Sequence, residues 1–238
     1  MSIPKRIIQT HRDFSLCQDL SESWIVKNPD YDYRFYDDEM CVKFFKKHYP
    51  RLLSCYLALP NNGQKADLFR YVSVFHYGGF YFDADTYCKV SLDTYVDLNH
   101  KLVVGYEMFA SLYKNRVETY VEEYASPKQM LQWAFAAEPG SSMLKNLIKV
   151  IYNNVTSMRQ NQLKKFSSNA RFNLELTGPI AFTSAFNYYM VGAESEAVQI
   201  LPQLNWGYIK YHNKEVDPMR NDDVKLLHYF KGSWRHKA

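Results

Sequence analysis

Two carboxylates one residue apart, Asp83 and Asp85 with Ala84 between them, are the strongest chemical signal in this sequence of 238 residues. At the end of an extended segment such a pair can share one divalent cation. With no Cys or His beside it in sequence, the ion must be hard and oxygen-seeking, Mn²⁺ or Mg²⁺. A bare D-x-D more often caps a turn or faces solvent. Here it follows Gly78-Gly79 and Phe80-Tyr81-Phe82, small residues and rings that let a ligand approach the backbone closely. Upstream, Asp67 and Arg70 stand three apart, the spacing of one helical face. Exposed, they would form an ion pair worth only about 0.2–0.5 kcal/mol. Turned inward, Asp67 can accept hydrogen bonds from ligand hydroxyls, while the guanidinium fork of Arg70 orients Asp67 or holds anionic oxygens.

These four residues need a helix and a strand joined by a tight turn. Gln64 to Tyr77 reads as a helix with a dense apolar face, Gly78-Gly79 as its stop, and Phe80 to Asp83 as a strand. If extension persists through Ala84, the two carboxylates project to the same side. Before them, Ile3 to Gln9 reads as a strand, Phe14 to Lys27 as a helix with Leu16, Leu20, Trp24 and Ile25 at helical spacing, and Tyr33 to Tyr36 as a second strand. A helix capped by Asp37 or Asp38 then runs to Tyr49-Pro50. This β-α-β-α order predicts a mixed, mostly parallel sheet flanked by helices, with ligands beyond the carboxyl ends of its strands. Further on, Leu102 to Gly105, Val198 to Pro202 and Val224 to Tyr229 read as strands. Ser142 to Val155 and the segment after Thr177-Gly178-Pro179 read as helices, and residues 111 to 130 stay ambiguous.

Length and composition bound the alternatives. No linker or repeat divides the chain, so residues 1–238 are read as a single domain. With 47% hydrophobic and 23% charged residues the chain can bury a full core, and 20 Tyr, 15 Phe and 4 Trp leave rings over to line a cleft. The net charge of +4 is spread along the chain without the basic stripe of a nucleic-acid binder. The closing cluster Lys231, Arg235, His236 and Lys237 reads as a solvated tail, with contact to an anionic membrane surface or a phosphate-bearing ligand as the sharper alternative. Cys17, Cys41, Cys55 and Cys88 form no CxxC pair, so neither zinc nor a disulfide framework is signalled. No run is apolar enough to span a bilayer.

The arrangement Lys65-Ala66-Asp67-Leu68-Phe69-Arg70-Tyr71 followed by Gly78-Gly79-Phe80-Tyr81-Phe82-Asp83-Ala84-Asp85 closely resembles the DXD-containing glycosyltransferases, the group of fungal Golgi mannosyltransferases, sphingolipid mannosyltransferases and bacterial capsule transferases. The opening Ile3-Pro4-Lys5-Arg6-Ile7-Ile8-Gln9-Thr10 is similar to that family's I-P-K-x-I-H-Q-T, and Trp24 with Asn28-Pro29-Asp30-Tyr31 extends the likeness. His228-Tyr229-Phe230-Lys231-Gly232-Ser233-Trp234 looks like its closing H-x-x-x-G-S-W. The likeness covers about the first 95 residues and the last dozen. Ile8 departs from it, standing where the family has His.

The resemblance implies a GT-A fold, Rossmann-like in its sheet, and transfer of a hexose from a nucleotide-diphosphate sugar, GDP-mannose, UDP-glucose or UDP-galactose, to a glycan or glycolipid acceptor with retention. It implies donor contacts from Ile8, Gln9, Thr10, Trp24, Asp67, Arg70, Asp83, Ala84, Ser233 and Trp234, with Trp24 near the base. Asp67, Arg70 and Asp85 form the catalytic group, and Asp83, Asp85 and His228 hold Mn²⁺ or Mg²⁺. Golgi members carry an N-terminal anchor; without one, the expectation is a cytoplasmic enzyme that visits membranes. The rival reading takes Asp83-Ala84-Asp85-Thr86 as the D-x-D-x-T of haloacid-dehalogenase-type phosphatases, with Asp83 as nucleophile, Asp85 as acid/base and Asp222-Asp223 as the late acidic pair. That motif normally ends a long apolar first strand, which is not its setting here.

Overall fold

A computed structural model describes residues 2–109, 128–192, 197–206 and 217–231. The chain opens as expected. Strand β1 (Arg6–Thr10) leads through a short 3-10 turn to α1 (Gln18–Lys27) and then to β2 (Asp32–Tyr36), which pairs with β1 in parallel. Asp37 caps α2 (Asp38–His48) by accepting from Met40 N, with three basic residues in the last turn to favour the helix dipole. The sequence reading ended that helical region at Tyr49-Pro50. Instead Pro50 occupies the first turn of a further helix, α3 (Pro50–Ala58), where its missing N–H costs nothing.

Helix α4 (Asn62–Tyr77) starts two residues earlier than the apolar pattern suggests, because Asn61 supplies the cap for Gln64 N. It ends at Gly78, with φ of 65°, and Gly79, with φ of 103°, both in the left-handed region that side chains avoid. A Cβ on Gly79 would lie 2.6 Å from the carbonyl oxygen of Arg6. The pair therefore lets the chain reverse hard against β1 and enter β3 (Gly79–Phe82), which pairs with β1 in parallel. The short β4 (Thr86–Cys88) and the longer β5 (Leu102–Phe109) follow.

In the middle of the chain, β6 (Lys128–Met130) and β7 (Ala134–Ala137) both run antiparallel to β5. Neither was legible in the sequence, and residues 111–127 of the ambiguous stretch lie outside the described residues. Helices α5 (Ser142–Ser157), α6 (Gln160–Phe166), α7 (Ala170–Leu176) and α8 (Pro179–Met190) come next. Then come β8 (Val198–Leu201), the short α9 (Gln203–Trp206) and β9 (Leu226–His228).

The main sheet runs β2-β1-β3-β7-β5-β6, with β8 also on β5. Five of its strands, β2, β1, β3, β5 and β8, point one way, and β6 and β7 oppose them. Alternation within the strands separates two cores. Ile8, Tyr81, Val104 and Phe135 meet α2 to α5, α7 and α8, whereas Ile7, Phe80, Phe82, Val103 and Ala134 meet Trp24 of α1 and Trp206. A separate ladder, β4 with β9, stands off the sheet and pairs Thr86 with His228. Helices on both faces of a mostly parallel sheet make this an α/β architecture. Among the described residues no helix is long and apolar enough to cross a membrane.

Candidate active site

The site is built where β1 and β3 end. Extension does not persist through Ala84, as the sequence reading supposed: the strand stops at Phe82, and Asp83 to Asp85 form a turn. Thr86 closes it, its N–H donating to Asp83 O at 3.1 Å and its Oγ1 to the same oxygen at 2.6 Å. The two carboxylates thus converge through a turn and not through the strand pleat. Gln9 Nε2 donates to Asp83 O at 3.1 Å, and Tyr33 OH donates to Gln9 Oε1 at 2.7 Å, so β1 and β2 steady the turn from below. Trp24 Nε1 meets both the carbonyl and the hydroxyl of Thr86.

Asp67 and Arg70 face inward from α4. One nitrogen of Arg70, Nη2, lies 3.2 Å from Asp67 Oδ1, and the other, Nη1, lies 3.2 Å from Asp83 Oδ1. The guanidinium therefore bridges the helix to the turn, with the Tyr81 ring 4.7 Å beneath it and Tyr81 OH donating to Asp83 Oδ1. Burial pushes the Asp67 carboxyl up to about 6, and the Arg70 charge with hydrogen bonds from Thr177 and Gln132 only partly opposes it. Burial likewise raises Asp83 against the pull of Arg70. Arg70 itself is held well above its ordinary value, burial being outweighed by Asp83, Tyr81 and Asp67.

Asp85 is gripped by β9 and the residues after it. His228 Nε2 lies 3.0 Å from Asp85 Oδ1, Lys231 N donates to Asp85 Oδ2 at 2.8 Å, and Tyr229 N donates to Asp85 O at 3.0 Å. Phe230 between them has φ of 49°, a left-handed backbone that turns the Lys231 N–H back onto the carboxylate. Burial works against ionisation of Asp85, but the hydrogen bonds from His228 and Lys231 N more than offset it, so its carboxyl sits below the usual range. The His228 ring packs on Trp133 and Phe230 at 4.4 and 3.8 Å between centroids. Asp83, Asp85 and His228 each offer a donor atom within 4.8 Å of the others. Two carboxylate oxygens and one imidazole nitrogen are a donor set that fits a divalent cation.

Two residues that complete this geometry escaped the sequence reading. Gln132 lies in the short loop between β6 and β7. Its carbonyl accepts from Arg70 Nη1 at 3.2 Å, its Nε2 donates to Asp67 Oδ1 at 3.1 Å, and its Oε1 accepts from Tyr71 OH. Thr177 donates through Oγ1 to Asp67 Oδ2 at 2.8 Å. The only available cue was the Gly-Pro after Thr177, which marked a helix start and nothing more.

Other expectations are corrected. Trp24 has no exposed surface and stacks on Phe82 at 3.8 Å, so it is a core residue that backs the turn and has no face for a base. The Ile8 side chain is fully buried in the sheet's helix-packed core, and the methyl of Ala84 is buried too, which leaves only their backbones to meet a donor. Thr10 Oγ1 donates to Tyr36 O and ties β1 to β2. Ser233 and Trp234 lie outside the described residues.

Comparison with known proteins agrees with this geometry. Residues 15–102 match the family model of the glycosyltransferase sugar-binding region containing the DXD motif. The initiation-specific alpha-1,6-mannosyltransferase of Schizosaccharomyces pombe is 26% identical over 98% of this chain and 64% of its own length. Inositol phosphoceramide mannosyltransferase 2 of the same yeast is 39% identical over 95 residues, covering 39% of this chain and 28% of the relative. The chain thus spans under two thirds of the length of these relatives. Among solved structures, the PaToxG glycosyltransferase superposes with a TM-score of 0.54 at 17% identity, over 82% of this chain and 73% of that one, which is a likeness of fold. With the DXD turn, the inward Asp-Arg pair and this sheet in one frame, residues 15–102 are similar to the sugar-binding region of the DXD-containing glycosyltransferases, and the fold is of the GT-A type.

Proposed function

We propose that the protein moves a hexose from a nucleotide-diphosphate sugar to a glycan or lipid acceptor, with a divalent cation held by Asp83, Asp85 and His228. The observation that carries this reading is the convergence of those three side chains within 4.8 Å, beside a buried Asp67–Arg70 pair. When bound, the cation supplies Lewis-acid neutralisation of the charge that the departing nucleoside diphosphate acquires. Asp67, already accepting from Arg70, Gln132 and Thr177, retains about one lone pair for a sugar hydroxyl. Arg70 holds Asp67 and Asp83 at fixed separation, so donor and cation meet a frame that needs no rearrangement. Main-chain groups at the end of β1 and at Ala84 border the donor.

The relatives' names favour a mannosyl donor, with UDP-glucose and UDP-galactose as the alternatives to test. Retention, with a donor phosphate oxygen taking the acceptor proton, completes the reading and requires no separate protein base. The phosphatase alternative gains no support: Asp83 Oδ1 is engaged by Tyr81 and Arg70, and Asp222 and Asp223 are exposed.

Calorimetric titration of GDP-mannose, UDP-glucose and UDP-galactose, with Mn²⁺ present or chelated, tests the proposal on the wild type and on Asp85→Ala. Binding of one donor only with Mn²⁺, lost in the variant, is the expected result. Equal binding with chelator, or in Asp85→Ala, removes the cation from the reading. Binding of no donor removes the transfer reaction.

A further inference from the structure

Between Glu138 and Glu175 the chain carries six cationic residues and no acidic one: Lys145, Lys149, Arg159, Lys164, Lys165 and Arg171. The formal net charge of the whole chain is +4, so this stretch alone exceeds it and the remainder is net negative. It folds as α5, α6 and α7. Arg171 is paired with Glu175 at 2.6 Å, while the other five are exposed and, among the described residues, have no carboxylate within ion-pair distance.

A merely solvated face usually mixes both signs and keeps large apolar groups covered. This one does neither. Phe166 follows Lys164 and Lys165 at the end of α6, 44% exposed, its ring 5.5 Å from that of Phe172. Gln160 Nε2 donates to Ala58 O, joining the start of α6 to the end of α3, where Leu57 is 54% exposed. Lysines flanking an exposed ring and an exposed aliphatic side chain are the composition of a surface that meets lipid headgroups with its charges and the acyl boundary with its apolar groups.

We propose that the outer side of α6 and α7 docks on an anionic lipid surface, Lys164 and Lys165 meeting headgroups and Phe166 entering between them. These helices belong to the frame of the site. Gln64 of α4 bonds Ser167 and Asn173, and Thr177, just after α7, bonds Asp67. A bilayer held there lies beside the Asp67–Arg70 pair. The proposal stands apart from the identity of the donor, and its test uses no nucleotide sugar.

The test is sedimentation of the full chain with vesicles of phosphatidylcholine alone and with about 30% phosphatidylserine, at low and high salt. Binding to the anionic vesicles only, weakened by salt, is expected. Lys164→Glu with Lys165→Glu should lower the vesicle partition coefficient roughly 30-fold, and Phe166→Ser should lower it severalfold at unchanged salt dependence. All three positions are exposed, and an unchanged melting curve verifies the fold of each variant. Absence of binding to anionic vesicles overturns the proposal. So does binding that survives the double substitution and disappears only when residues 232–238 are removed, and so does preference for RNA over vesicles in competition.

Discussion

Asp67 is a carboxylate stationed where burial disfavours its charge, and that has a pH signature. Its folded value, about 6, lies above the 3.8 of a free side chain. The stability this contributes is complete below about pH 4 and is lost as pH rises through about 6, because folding then holds an ion it would prefer protonated. Urea unfolding of wild type and Asp67→Asn should therefore diverge across that window, the wild type losing on the order of 1–3 kcal/mol relative to the variant between pH 4 and 7. A constant difference across the range contradicts the assignment. Gln132 allows a second prediction. Removing its amide strips Asp67 of a donor and Tyr71 of an acceptor while leaving its carbonyl on Arg70. Gln132→Ala should lower kcat/KM for donor turnover about ten- to hundredfold, the loss of one hydrogen bond to a charged group, with the Arg70–Asp83 contact intact. Unchanged turnover would assign Gln132 to packing alone.

At the scale of elements, the Gly78-Gly79 reversal is what brings the helix carrying Asp67 and Arg70 against the strand that delivers Asp83. Gly79→Ala meets both a left-handed backbone and the Arg6 carbonyl at 2.6 Å, and should cost about 2–4 kcal/mol in chemical denaturation. Gly140→Ala is the control: its φ is 78°, but a Cβ there meets nothing within 4 Å, so only the backbone cost of about 1 kcal/mol applies. Equal losses at the two sites would remove the close approach from the argument. The first half of the site was legible in sequence because its signals are local. The Asp37 cap, the glycine stop and the apolar strand each act within a few residues. Gln132 and Thr177 were not legible, because they reach Asp67 from 65 and 110 positions away and are of types found in any loop. Trp24 was misread for the converse reason: its place near a familiar motif suggested a ligand, whereas its stacking partner Phe82 becomes visible only once β3 is in the sheet.

For the molecule as a whole, the proposed donor and cation would bind the folded state alone and so shift its unfolding. At concentrations near a hundredfold above Kd they add about 2.7 kcal/mol, which for a chain of this size raises Tm by about 5–10 °C. A thermal melt should show that rise with Mn²⁺ and donor together, a small part of it with either alone, and none in Asp85→Ala. Full protection of that variant would relocate the binding site. The pairing of β4 with β9 bears on when such a site comes into being. Asp83 and Asp85 leave the ribosome early, among sheet and helices that can close around them, yet His228 and the Lys231 N–H that complete Asp85 come 143 and 146 residues after it. On the proposed reading, the group that would hold the cation is therefore complete only once translation has passed His228 and Lys231, however early the first half of the sheet can form.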